Sequence, residues 1–365
     1  MILEFYDQIM KSFSSYHSDK KMTYEDGLML LAAERLASLL NDKKYLDFNL
    51  SYLDSCIGDD GTIFTYNLED YNIDNILAGN ALFRVARNNN KYEKALNTLE
   101  RQLDTHPRTS TSNYFHKNIY PYQIWLDGLY MGLVFRYRIG ILRNDEMVKK
   151  DVINQLKNVS KIMFVEKEGL YMHAFDETHS MQWADKKTGL SHLPWSRSIG
   201  WMLMALIDIY ELIDSNDVDD KLFIKDMLKD AVDHLIPFLD QKTKMMYQIV
   251  NLPNEPKNYL ETSGSAMLSY TLQKAYNLHV LDETYSHLAL DIFKGIISTY
   301  FKKEEDGLYY LDGICKVAGL DNKKRDGSIA YYLSEPITKN EIKGVGPFIF
   351  AFIELAKKDK SILEI

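Results

Sequence analysis

The chain has 365 residues, 46% of them hydrophobic, enough to bury a substantial core in one large domain or two smaller ones, and a single domain spanning 1–365 is expected. Its formal net charge of -9 is spread along the chain, which disfavours nucleic acid and anionic membrane as partners. No run approaches the roughly 20 apolar residues of a membrane span, and the start MILEFYDQIMKSFSS, with Glu4 and Asp7, does not read as a signal peptide. Cys56 and Cys315 lie far apart in sequence and form neither a metal spacing nor a disulfide framework, so a cytoplasmic protein is expected.

Periodicity near 3.6 residues gives about twelve helices and few strands. In chain order, charged amphipathic segments alternate with apolar ones. Segment 1–14 precedes YEDGLMLLAAERL, 43–56 precedes DNILAGNALFRVA, and 91–104 precedes WLDGLYMGLVFRY. Segment 146–163 precedes RSIGWMLMALIDIY, 219–239 precedes ETSGSAMLSYTL, and 284–301 precedes KGVGPFIFAFIEL. Each apolar segment opens with a glycine (Gly27, Gly79, Gly128, Gly200, Gly264 and Gly346), which lets backbones crowd together. Six near-repeats of this kind predict an all-α (α/α)6 barrel, with the apolar helices as the inner ring and the charged ones outside. A helical solenoid or irregular bundle is the alternative. The long segments 105–121, 164–196, 240–261 and 302–343 are rich in aromatic, histidine and charged residues, as loops that build a functional mouth would be.

The stretch YPYQIWLDGLYMG places one carboxylate, Asp127, inside an apolar run. Burying an unpaired carboxylate costs several kcal/mol, on the order of one ion's desolvation penalty, so Asp127 needs a partner, a raised pKa or a wet cavity. Asp74, in YNIDNILAG, holds the equivalent place in an earlier repeat. Each acid alone could simply cap a helix or favour its dipole. Two of them beside glycine-opened pockets point instead to an acid/base pair, with burial keeping one protonated near neutral pH. Cations gather in the adjoining segments: His116 and Lys117 in FHKNIY, His173 in LYMHAFDE, and Arg197 between Trp195 and Trp201. This set suits a sugar that bears a carboxylate, with Arg197 binding the acid bidentately and a tryptophan stacking on the ring. The 25 tyrosines fit the same reading. His116, His173 and His192 lack zinc spacings, and no phosphate loop, dinucleotide fingerprint or nucleophile elbow occurs, so no metal and no cofactor are expected.

The chain resembles the unsaturated rhamnogalacturonyl hydrolases, glycoside hydrolase family 105, relatives of the unsaturated glucuronyl hydrolases of family 88. The resemblance is carried by HPRTSTSNYFHKNIYPYQIWLDGLYMG, HAFDET…QWAD, LPWSRSIGWMLMAL, NYLETSGSAM and VAGL…RDGSIAYYLSEP…KGVGPF, which together span nearly the whole chain. It implies an (α/α)6 barrel that removes a 4,5-unsaturated uronic acid from an oligosaccharide left by a polysaccharide lyase. The reaction it implies is hydration of the vinyl ether, so the spacing rule for retaining and inverting glycosidases does not apply directly. By motif, Asp127 is the acid/base and Asp74 the second carboxylate, while His116, His173, Trp195, Arg197 and Trp201 form the substrate pocket with Lys117 and Tyr24 nearby. Asn113 and Ile199 stand where the family is usually glycine-rich or small, and are expected to reshape the leaving-sugar site. The expected partner is an unsaturated disaccharide, handled by a monomer or weak homo-oligomer. The alternatives are an unsaturated glucuronyl substrate from glycosaminoglycan or ulvan, or a noncatalytic carbohydrate-binding barrel.

Overall fold

The structure is a computed structural model and describes residues 1–16 and 22–365. In chain order its helices are α1 (Ile2–Tyr16), α2 (Tyr24–Leu40), α3 (Lys44–Cys56), α4 (Leu82–Val85) and α5 (Asn90–Thr105). There follow α6 (Leu126–Gly128), α7 (Val134–Arg143), α8 (Glu146–Ile162), α9 (Ser196–Leu212) and α10 (Val218–Leu235). The last four are α11 (Thr262–Asn277), α12 (Glu283–Tyr300), α13 (Ile329–Ser334) and α14 (Ile342–Lys358).

Neighbours in the inner ring are neighbours in space. α2 packs on the turn that leads into α4, that turn on the α6–α7 stretch, this on α9, α9 on α11, α11 on α14, and α14 back on α2. The ring is closed, and the fold is the (α/α)6 barrel. The outer helices α3, α5, α8, α10 and α12 each lie against the inner helix next to them in sequence. Their patterns explain their places: α5 buries Tyr92, Ala95, Leu96, Leu99 and Leu103 along one face, whereas α9 is buried without a break from Ser196 to Ile209.

Close approach at the inner-helix starts demands glycine. A Cβ on Gly264 would stand 2.9 Å from the backbone carbon of Ser196, and one on Gly27 would stand 2.8 Å from the amide nitrogen of Ala78. Real Cβ contacts do not come so near, so any side chain there would push two helices apart.

Two inner segments depart from the expected regular helix. DNILAGNALFRVA forms the 3-10 turns Ile73–Asn75 and Leu77–Ala81 before the single α-turn of α4. Asn72 caps the first turn by accepting from the Asp74 amide, so Asp74 sits on a separate turn rather than at the start of a long helix. The segment after Asp127 runs from α6 through a π-helical turn, Leu129–Leu133, into α7.

The long loops contain four two-stranded antiparallel pairs. They also build a second, smaller apolar cluster over the N-terminal ends of the inner helices, which includes Trp125, Trp183, Trp195, Ile249, Leu320 and Tyr332. That cluster is the scaffold of the mouth. Among the described residues, no helix is long and apolar enough to cross a membrane.

Candidate active site

A cleft of about 650 Å³ opens at this mouth. Its walls bring together Tyr24, Asp74, His116, Lys117, Asp127, Trp195, Arg197 and Trp201, eight of the nine residues singled out by sequence. The ninth, His173, is fully buried and stands behind Asp127 instead of lining the cleft. Antiparallel pairing of Gln123–Trp125 with Ala174–Asp176 and the bond from the Leu126 amide to the His173 carbonyl fix this arrangement.

His173 Nε2 lies 3.3 Å from Asp127 Oδ2, within ion-pair reach but not aligned as a hydrogen bond, and Oδ2 has no other partner. On the far side of the ring, Nδ1 is 2.7 Å from the Tyr332 hydroxyl. Burial pushes the Asp127 carboxyl up, but the His173 imidazole beside it, with His116 and the Arg197 guanidinium near, outweighs burial and holds the group below the usual aspartate value. This corrects the expectation that burial keeps Asp127 protonated. The compensating groups come from three other segments of the chain.

Asp74 is gripped differently. Lys117 Nζ lies 2.6 Å from one carboxylate oxygen and His116 Nε2 3.7 Å from the other. Burial alone would lower the Lys117 pKa, yet the Asp74 charge raises it above the ordinary value. Burial drives His116 the other way, to about 4, so its ring is neutral near pH 7. That ring stacks on Trp125 at 4.6 Å, and Tyr120 stacks on Trp125 at 5.1 Å, which gives the cleft an aromatic wall.

Arg197 occupies the first turn of α9 and is only 2% exposed. It donates to the Cys315 carbonyl and the Ser263 hydroxyl, and its guanidinium lies over the Trp195 ring at 4.5 Å. Gln248 ties the layer behind: Oε1 accepts from the Trp195 indole at 3.0 Å, while Nε2 donates to Cys315 Sγ and the Tyr332 carbonyl. Trp201 is braced by Tyr130, stacked at 5.3 Å.

The cleft also takes in residues that the sequence reading did not single out. Tyr120, Met131, Arg325, Lys343 and the backbone of 317–319 line it. Tyr120 lay within the quoted YPYQIWLDG run, Arg325 within RDGS and Lys343 within KGVG, but position in a motif does not say which side chain faces the cleft. Asn113 and Ile199, expected to reshape the site, do not line it. The Asn113 side chain donates to the Gln155 carbonyl, and Ile199 belongs to the main core. Among the described residues, no group of three or more His, Cys, Asp or Glu side chains is arranged to hold a metal ion.

Comparison with known proteins places this ring among the helical-barrel glycoside hydrolases. The chain belongs to Glycosyl Hydrolase Family 88, whose family model matches residues 1–358. A solved family 105 glycoside hydrolase of C. acetobutylicum ATCC 824 superposes with a TM-score of 0.91 at 40% identity, covering 97% of this chain and 99% of that one. The unsaturated rhamnogalacturonyl hydrolase YesR of Bacillus subtilis (strain 168) is 26% identical over 161 residues, 44% of this chain and 43% of its own. The unsaturated glucuronyl hydrolase of Bacillus sp. GL1 shares the fold, with a TM-score of 0.67 at 14% identity over 93% of this chain and 87% of that one.

Proposed function

We propose that this hydrolase removes a 4,5-unsaturated uronic acid from the end of an oligosaccharide by hydrating the vinyl ether, and that its substrates are unsaturated galacturonyl products of rhamnogalacturonan or pectin lyases. Asp127 gives its proton to C4, and water adds its oxygen at C5 and returns a proton to the Asp127 carboxylate. The resulting hemiketal opens by cleavage of C5–O5, and the hemiacetal left at C1 collapses to an aldehyde as the leaving sugar departs with the C1–O electron pair and the hemiacetal proton. Arg197 holds the uronate carboxylate, Trp195 and Trp201 flank the ring, and Asp74 is the second carboxylate, fixed by Lys117 and His116. Tyr24 completes the wall beside Trp201. His173 is a positioning residue for Asp127.

The observation that supports this reading best is Asp127 itself. Its Oδ2 is buried and lacks a hydrogen bond, in a cleft whose deepest cation is Arg197. Such an oxygen is suited to exchanging a proton with a bound substrate. His173, His116 and Arg197 together hold Asp127 as a carboxylate in the free enzyme. A uronate drawn to Arg197 adds negative potential beside Asp127 and raises its proton affinity, so the acid form is reached on binding. The name of YesR and the family 105 likeness support galacturonyl over glucuronyl substrates.

The test is loss of ultraviolet absorbance from the unsaturated uronate across a panel of lyase products with rhamnose, galacturonate, glucosamine or sulfated rhamnose as the leaving sugar. Turnover of the galacturonyl-rhamnose product above the glucuronyl ones is expected. Cleavage of the matching saturated disaccharides at similar rates would overturn the hydration mechanism.

A further inference from the structure

Four cations line the cleft, and three have partners within the protein. Lys117 is paired with Asp74, Lys343 with Glu25 and Glu341, and Arg197 spends Nη1 alone on the Cys315 carbonyl and the Ser263 hydroxyl. The fourth, Arg325, has no hydrogen bond or ion pair from its guanidinium to any described residue. Asp321, an acid of the same turn that feels the Arg325 charge, spends Oδ1 on the backbone amides of Lys323, Lys324 and Arg325.

The guanidinium packs against the backbone of the same loop. It lies against Gly319, where a Cβ would stand 2.7 Å from Nη1. The Gly319 carbonyl is pinned by the Tyr331 hydroxyl at 2.5 Å, and Asn322 accepts from the Gln182 amide. Arg325 is therefore a fork at the cleft wall with its donors unspent among the described residues. Its depth is informative too. Arg197 is buried at the floor, whereas Arg325 is partly exposed on the loop that borders the cleft. The same loop carries Lys316, Lys323 and Lys324 against Asp321 and Asp326, a local positive balance in a chain of net charge -9.

We propose that Arg325 binds an anionic group on the leaving sugar, a carboxylate or sulfate, and so makes the enzyme prefer acidic leaving sugars over neutral ones. The proposal rests on the reaction proposed above. The deep arginine takes the uronate that reacts, and the outer one takes the charge on the next sugar. A second carboxylate there meets a planar fork that needs no other partner to be displaced.

The experiment compares kcat/KM for two substrates that differ in the leaving sugar, unsaturated galacturonyl-galacturonate and unsaturated galacturonyl-rhamnose. The wild-type enzyme should favour the first, and Arg325→Gln should lower that acid-to-neutral ratio by roughly tenfold or more. Gly319→Ala is the second variant. Its methyl displaces only the end of a flexible side chain, and it should lower the ratio in the same direction while the melting temperature holds. A ratio unchanged within about twofold in Arg325→Gln overturns the proposal, whether both substrates lose rate together or neither does. If the wild type turns over neither substrate, the reaction reading fails and this proposal falls with it, an outcome distinct from an unchanged ratio.

Discussion

The Tyr332 hydroxyl meets His173 Nδ1 at 2.7 Å, on the far side of the ring from the Nε2 that stands 3.3 Å from Asp127 Oδ2. Burial keeps Tyr332 un-ionised, its pKa raised well above the ordinary value. Asp127→Asn preserves this shape and removes the proton that moves. Turnover should fall by roughly 10²–10⁴-fold with the fold intact by circular dichroism. A variant that keeps rates within about tenfold of wild type would make Asp127 a structural residue.

Arg197 is tested by a pair of substrates. Arg197→Lys keeps the charge and loses the planar fork, so kcat/KM for the free uronate should drop roughly 10–100-fold. The methyl ester of the same uronate should lose far less. Arg197→Ala should lose more on the acid and should also lower the melting temperature, because the buried Cys315 carbonyl forfeits its donor. Equal losses on acid and ester in both variants would mean that Arg197 only braces α9.

Two buried imidazoles should make stability sensitive to mild acid. His106 and His116 are both held at about 4 against an ordinary 6.5, chiefly by burial. The folded value lies below the unfolded one, so the unfolded chain takes up protons first. Stability is complete above pH 6.5 and declines as pH falls toward 4. By about pH 5 the loss should be on the order of 2 kcal/mol for each ring. Urea unfolding at about pH 7.5 and 5 measures it, and His106→Gln should remove a large part of the difference. A flat profile over that interval would refute the assignment.

Much of the barrel was readable in advance because the forces that build it are local and periodic. Alternating charged and apolar segments, each apolar one opened by glycine, follow from packing six inner helices edge to edge, and Gly27 and Gly264 face the backbone contacts that require them. The charge state of Asp127 was not readable in the same way. It depends on His173, His116 and Arg197, which reach it through strand pairing and ring closure rather than through spacing. The 3-10 turns around Asp74 were hidden for a related reason. DNILAGNALFRVA has helical periodicity, and periodicity does not show that Leu99 and Phe135 crowd Gly79 where the chain turns. Tyr332 and Arg325 escaped notice because nothing in RDGSIAYYLSEP marks which side chains turn inward.

Gly264→Ala tests how tightly the ring is drawn. The added methyl would meet the carbonyl carbon, Cβ and carbonyl oxygen of Ser196 at 2.9–3.0 Å, and backbone cannot step aside. Stability should fall by about 1–3 kcal/mol, and kcat/KM should fall as well because Arg197 follows Ser196. Thermal unfolding and kinetics on one preparation measure both. An unchanged melting temperature would show that α9 and α11 slide apart at little cost.

The closure of α14 onto α2 has a consequence for the order of events at the ribosome. Lys343, near the start of α14, reaches Glu25 on α2 and at the same time borders the cleft. A nascent chain that has emerged as far as Asn277 already carries both carboxylates and the deep arginine. It still lacks Cys315, which holds that arginine, Tyr332, which holds His173, and the helix that covers the open flanks of α2 and α11. Competence therefore waits for the C-terminal stretch of the chain, which both pins these side chains and seals the circle.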